Sequence, residues 1–309
     1  MAERQRAVLI AGPTASGKSA LALALAAEFD GIVVNTDAMQ VYDVLRIVTA
    51  RPSSAEEVQA PHRLYGITSP ALRFSTGAWL AAVRDTMAAS DGRPLIFVGG
   101  TGLYFDALLN GFAEVPHVPD CVVATVEREL AGLDSAGRAQ LLALRDPVIA
   151  ARLQAPDPQR VTRALAVLAA TGRSLATFQD AAQPGLLGDF AVQRLILDPG
   201  RDVLRERIAS RFALMWEEGA VEEVEALLAL GLDPSLPAMK AIGVPEIAGW
   251  IRGDLDRAAA LEIGTIATRQ YAKRQRTWFR GRMGDWPRFD PLNGIPALLA
   301  AVAKLPQSE

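Results

Sequence analysis

Along the first third of the chain, short and almost unbroken apolar runs alternate with alanine- and leucine-rich stretches. Ala7-Val8-Leu9-Ile10-Ala11 is the first run and predicts a strand buried on both faces. Ala20 to Phe29 predicts a helix. Gly31-Ile32-Val33-Val34-Asn35 predicts a second strand, Ser75 to Ser90 an amphipathic helix, and Arg93 to Val98 a third strand. Between them, Ser53-Ser54-Ala55-Glu56-Glu57 carries the capping chemistry of a short helix, which Pro61-His62-Arg63 ends.

From Pro116 to Leu187 strand-like runs vanish and helical periodicity takes over. Helices are predicted over Val122 to Leu133, Ala136 to Leu144 and Gln159 to Thr171, the last closed by Gly172. Asp146-Pro147 and Pro156-Asp157-Pro158 supply turn and N-cap signals. Val192 to Leu197 returns to strand. Arg201 to Leu230 reads as helical, Pro237 to Trp250 as turn-rich, and Leu261 to Arg280 as one long helix. On that helix Arg269, Lys273, Arg276 and Arg280 share a narrow stripe at about 100° per residue. Ile263, Ala267, Tyr271 and Trp278 are expected opposite, packed on the core.

The loop after the first strand is Gly12-Pro13-Thr14-Ala15-Ser16-Gly17-Lys18-Ser19, which fits G-x-x-x-x-G-K-[ST]. Strand, glycine loop and helix start fall in the order a phosphate-binding loop needs. Its glycines let backbone N–H groups point at phosphate oxygens, and the helix N-terminus adds partial positive charge. Lys18 reaches a terminal phosphate, and the Ser19 hydroxyl is placed for Mg²⁺. The expected fold is therefore α/β: a P-loop NTPase-like parallel sheet with helices on both faces. Residues 1–115 and 188–309 form that core, and 116–187 form a helical insertion. In such a sheet ligands gather at the carboxyl ends of strands. That places Asp37, after the second strand, and the Gly99-Gly100-Thr101-Gly102 turn, after the third, at the mouth of the loop. Asp37 also has a less favoured reading as a helix N-cap, and the glycine turn one as a tight connection.

The chain has 309 residues and a net charge of −3, so a polyanion has to be met by a local patch rather than by global charge. The long helix offers one, with no acid between Glu262 and Asp285. One cysteine, Cys121, excludes an intramolecular disulfide, and the two histidines, His62 and His117, lie too far apart in sequence to suggest a zinc site. The first residues run straight into a strand, which leaves no room for a signal peptide, and no apolar run is long enough to span a membrane. A cytoplasmic, monomeric protein is expected. No aspartate follows the Leu95 to Val98 strand, so Asp37 is the candidate acid, better suited to a general base beside a phosphate than to an ATPase motor.

The chain resembles the tRNA dimethylallyltransferase family. The resemblance rests on the Gly12 to Ser19 loop, Asn35-Thr36-Asp37-Ala38-Met39-Gln40-Val41-Tyr42, Thr49-Ala50-Arg51-Pro52 and Pro61-His62-Arg63. It continues through Val98-Gly99-Gly100-Thr101-Gly102-Leu103-Tyr104, Asp157-Pro158-Gln159-Arg160, Thr268-Arg269-Gln270 and Ala272-Lys273-Arg274-Gln275. It implies transfer of the dimethylallyl group of dimethylallyl diphosphate to N6 of adenosine 37 in tRNA. The loop Gly12, Pro13, Thr14, Ala15, Ser16, Gly17, Lys18 and Ser19 would then hold the diphosphate, with Mg²⁺ on Ser19. Lys18 and Arg211 would stabilise the leaving group, Asp37 would take the N6 proton, and Thr101 would donate a hydrogen bond. tRNA would be met by Asp37, Ala38, Met39, Gln40, Thr101 and Lys240. The insertion would grip the anticodon loop through Gln159, Arg160, Val161, Thr162 and Arg163, and Arg269, Lys273, Arg276 and Arg280 would hold phosphates.

Three places depart from the family pattern: Arg46-Ile47-Val48 stands for Asp-Ile-Gly, Val123 for arginine, and Val244-Pro245 for Tyr-Lys or Tyr-Arg. Other classes compatible with the loop are a small-molecule kinase with Asp37 as base, a non-catalytic RNA-binding module, and an enzyme prenylating free adenine nucleotides. The helical insertion and the basic helix argue against the kinase, and the intact Lys18, Ser19 and Asp37 against the inert module. A free-nucleotide enzyme would not need the basic stripe.

Overall fold

The computed structural model describes residues 4–116, 118–153, 157–181 and 183–305. His117 and the Pro156 turn signal lie outside them. The chain forms two compact units, one of Met1–Leu109 with Leu186–Glu309, the other Asn110–Gly185. The change of texture at Pro116 and Leu187 thus falls a few residues past each boundary.

The larger unit is built on six parallel strands: β1 Arg6–Ala11, β2 Ile32–Asn35, β3 His62–Arg63, β4 Leu95–Gly99, β5 Ala191–Leu197 and β6 Arg288–Phe289, in the order β3-β2-β4-β1-β5-β6. β1 pairs with β4 from Ala7↔Leu95 and with β5 from Arg6↔Ala191. Its apolar run is fully buried because helices cover both faces. One core joins Ile10 of β1, Leu21 and Leu25 of the Lys18–Phe29 helix, and Leu298 and Val302 of the Ile295–Ala303 helix. The buried Gln193 of β5 donates to the carbonyls of Val302 (2.9 Å) and Leu305 (3.1 Å), capping that last helix. A second core joins Val41, Tyr42 and Leu45 to Trp216, Val224 and Ile247.

From β1 the chain turns to β2 on one side, and from β4 it passes to β5 on the other. Connections of opposite sense meet at β1, and its carboxyl end is where a ligand crevice is expected.

Several expectations are corrected. The short helix stops at Gln59, as expected before Pro61, but His62-Arg63 goes on to form a two-residue edge strand. The helix from Arg201 is interrupted by a π turn at Trp216–Ala220, where Gly219 takes φ 106°. The long helix runs Arg257–Arg282, and it buries Ala260, Gly264, Ala272, Gln275 and Phe279. Ile263 is 43% exposed, while Ala267, Tyr271 and Trp278 are only half-buried. The buried arc lies beside the cation stripe rather than opposite it, because this helix packs sideways against Arg201–Met215: a Cβ on Gly264 would meet the Phe212 ring at 2.3 Å.

The smaller unit is helical: Asp120–Leu130, Ser135–Arg145, Pro147–Arg152, Pro158–Thr171 and Leu175–Asp180. Asp146 and Asp157 cap the third and fourth through Ile149, Gln159 and Arg160 N–H groups, each with proline next in sequence. Gly172 ends the fourth in the left-handed conformation, φ 68°. Val126, Leu130, Leu142, Ile149, Val161 and Leu165 form its core.

Candidate functional site

The loop after β1 curls tightly. Gly12 has no room for a side chain, since a Cβ would sit 2.8 Å from the Leu197 carbonyl, and Gly17 takes φ 88°. Pro13 C=O accepts from Ser16 N–H (3.2 Å) and from the Lys18 ammonium (3.2 Å). Thr14 N–H donates to Gln275 Oε1 (2.9 Å), so it is not free for an anion. The Ala15 and Gly17 N–H groups enter no hydrogen bond among the described residues. The Ser16 hydroxyl is buried without a partner.

The acid turn is built as closely. Asn35, buried at the end of β2, accepts from Asp37 N–H (2.8 Å) and donates to the carbonyls of Asp37 and Leu64 (3.0 Å each). No helix starts at Asp37; its Oδ1 accepts Met39 N–H (3.0 Å) in a local turn. Ala38 N–H donates to Thr101 Oγ1 (2.9 Å), and Thr101 N–H to Thr36 C=O (3.1 Å). Only glycine fits at 99, because a Cβ would stand 2.1 Å from the Thr36 oxygen. Trp79 buttresses this turn, donating its indole N–H to Asn35 C=O (3.0 Å) and stacking on Tyr104 at 4.3 Å.

Gln275 of the long helix joins the two turns. Its Oε1 receives Thr14 N–H and its Nε2 donates to Gly100 C=O (3.0 Å). Tyr271, one turn earlier, lines the same cavity as Thr101. Sequence reasoning took this helix for its cations and its apolar face. Gln275 is its buried polar residue, and the only sequence signal was its place in the Ala272-Lys273-Arg274-Gln275 motif.

These elements enclose a cavity of about 420 Å³. Lys18, Ser19, Asp37, Thr101 and Arg211 line it, with Ala38, Met39, Gln40 and Lys240. Ile208, Phe212 and Met215 of the Arg201–Met215 helix, with Val48 and Ile242, give it an apolar wall that sequence reasoning missed. Burial lowers the Lys18 ammonium to about 8; Asp37 opposes that shift and Arg211 adds to it. Burial also pushes Tyr65, Tyr104 and Tyr271 up, with Asp37 adding to each, so all three stay neutral.

Other expected contacts are placed differently. The Gln40 amide donates to the carbonyls of Thr49 and Ala50 (2.9 Å each) rather than standing free. Ile47 and Val48 N–H donate to the Glu223 carboxylate (2.8 Å each), as does Arg46 N–H; these bonds hold the 46–48 turn that departs from the family pattern. In the helical unit Gln159, Arg160 and Arg163 are exposed and Thr162 half-buried, but Val161 is fully buried and offers no surface. On the long helix Arg269, Lys273 and Arg280 are exposed, whereas Arg276 is paired with Asp198 at 2.8 Å.

A family model described as IPP transferase matches residues 40–282. The tRNA dimethylallyltransferase of Methylobacterium sp. is 54% identical over 282 residues, covering 90% of this chain and 92% of its own. That of Allorhizobium ampelinum is 50% identical over 291 residues, covering 92% and 95%. Among solved structures, the full-length tRNA isopentenylpyrophosphate transferase of Bacillus halodurans superposes with a TM-score of 0.68 at 28% identity, covering 97% of this chain and 96% of that one. A eukaryotic dimethylallyltransferase acting on tRNA reaches 0.76 at 26% identity, covering 93% and 74%.

Two outcomes follow from the geometry. Gln275→Leu strips two buried backbone groups of their partner, at about 1–3 kcal/mol each, so urea unfolding should show a large loss of stability; a midpoint near wild type would mean that the bridge is dispensable. Lys18 is charged below about pH 8 and loses its charge above it. Calorimetry with inorganic diphosphate should therefore show wild-type affinity falling relative to Lys18→Arg between about pH 7 and pH 9.5, approaching tenfold per pH unit at the top. A constant ratio across that range would contradict the lowered pKa.

Proposed function

This chain belongs to the IPP transferase family, and on that premise we propose that it acts as a tRNA dimethylallyltransferase, moving the dimethylallyl group of dimethylallyl diphosphate to N6 of adenosine 37 and releasing diphosphate. The observation that carries this reading is one cavity with a phosphate loop and its lysine on one side and a carboxylate on the other. Allylic C–O cleavage builds negative charge on diphosphate. Lys18, Arg211 and the open Ala15 N–H line the cavity and would supply fixed positive potential where that charge grows. The apolar wall of Ile208, Phe212 and Met215 suits a five-carbon tail and keeps water from the allylic carbon.

The nucleophile is an exocyclic amine, which has to lose a proton as the N–C bond forms. Asp37 is suited to accept that proton, because Oδ1 is anchored by Met39 N–H while Oδ2 enters no hydrogen bond among the described residues. Thr101 uses its oxygen to accept from Ala38, leaving the hydroxyl hydrogen for the acceptor base. The base leaves its stack to enter the cavity, at a cost of a few kcal/mol. Gln159, Arg160, Thr162 and Arg163 of the helical unit supply polar side chains for the anticodon loop. Lys240 does so at the cavity.

The residues also fit a magnesium ion carried by the donor. The Ser19 hydroxyl lines the cavity on the same loop as Lys18, the donor set such an ion shares with substrate phosphates. When bound, the ion would offset charge on the leaving diphosphate.

The test is Asp37→Asn, which keeps shape and hydrogen-bonding reach but takes no proton. Single-turnover transfer should fall by about 10²–10⁴, with both substrates still bound. Near wild-type rates would remove the general-base role, and rescue by excess Mg²⁺ would make Asp37 a metal ligand instead.

A further inference from the structure

The two helices that wall the main cavity also enclose a second one, of about 490 Å³. Arg201 and Arg205 line it from the Arg201–Met215 helix. Arg269, Lys273, Arg276 and Arg280 line it from the Arg257–Arg282 helix, and no acid does so. Ile208 lines both cavities and packs with Leu204, Ala272 and Ala15 of the phosphate loop. The trough therefore lies directly beside the donor loop.

Its six cations are not equivalent. Arg276 is held by Asp198, both side chains mostly shielded, and Asp198 also takes Arg288 at 3.1 Å. Arg276 is thus committed to a carboxylate inside the fold, which it shares with Arg288. Arg205 meets only the exposed Asp202, at 3.5 Å, a contact that contributes little. Arg201, Arg269, Lys273 and Arg280 are exposed and form no ion pair among the described residues. From Arg269 to Arg280 the wall runs roughly 16 Å at about 1.5 Å per residue, which is too long for one diphosphate and spans several phosphates of a strand.

Resting on the tRNA reading above, we propose that this trough grips the RNA sugar-phosphate backbone from two sides: Arg201 and Arg205 form a second wall facing Arg269, Lys273 and Arg280, and Arg276 is a buttress rather than a contact. The site is thus not the single-helix stripe that periodicity alone suggests.

The test uses the full chain and an anticodon stem-loop RNA with adenosine at position 37, and follows affinity against KCl concentration. In the Arg201→Gln/Arg205→Gln double variant the slope of log affinity against log salt should flatten by roughly 1.4, about 0.7 for each lost contact. In Arg276→Gln it should stay at the wild-type value. Affinity for inorganic diphosphate should be unchanged in the double variant, whose substituted side chains are both exposed. The proposal is overturned if the double variant keeps the wild-type slope, if it loses diphosphate rather than RNA affinity, if Arg276→Gln flattens the slope as much, or if wild type shows no salt-dependent RNA binding. Wild-type protein that binds RNA through this trough but transfers no prenyl group would remove the proposed activity and leave the groove; prenyl transfer with an unaltered slope would do the reverse.

Discussion

One buried amide holds the site together. Gln275 joins the loop after β1 to the turn after β4 with two hydrogen bonds, reaching partners 261 and 175 residues away in sequence. β1 and β4 are neighbouring strands, so the sheet brings their ends close. It does not set the spacing between loops whose backbones carry unpaired groups. An amide supplies one acceptor and one donor, and Gln275 commits each to a different loop. With Thr14 bound this way, any anion at the loop would be left to Ala15, Gly17 and the start of the helix. Thr101 holds Ala38, beside Asp37.

On this frame the charges are arranged for separation. Lys18, Asp37 and Arg211 line one cavity and feel one another: Asp37 supports the charged form of Lys18, and Arg211 opposes it. Burial weakens the lysine's hold on its proton, which it keeps only below about pH 8. In the proposed reaction, diphosphate would supply counter-charge, and most fully when the allylic bond has broken. On the proposed reading, such a site would bind the product charge of the chemical step better than the ground state, which is how a fixed environment accelerates ionisation. On the proposed reading, an acid following β2 serves the reaction because it lines the same cavity as the phosphate loop, where an incoming amine and a departing diphosphate would need opposite partners.

Much of this was legible in the sequence. β1, β4 and β5 are buried on both faces, and their runs are unbroken enough to read directly. The phosphate loop, Asp37 and the glycine turn followed, because parallel sheets bind at strand ends. The two-residue edge strands β3 and β6 were not legible; strands that short have no period, and they exist only because β2 and β5 offer an open edge. The break at Gly219 hides inside a continuous helical pattern. On the long helix the cation stripe was visible, but its buried arc was misplaced: periodicity gives a face, and only packing against Phe212 decides which face is covered. Val161 looked like part of a polar binding segment and is core, and Arg276 looked free and is held by Asp198. Each of these depends on a neighbour distant in sequence.

The most direct measurement is mass analysis of nucleosides from tRNA incubated with the protein, dimethylallyl diphosphate and Mg²⁺ in the absence of any nucleoside triphosphate. The account predicts a five-carbon prenyl group on N6 of adenosine 37, with diphosphate released in equal amount. Unmodified adenosine 37 under these conditions, together with ADP formation once ATP is supplied, would contradict it.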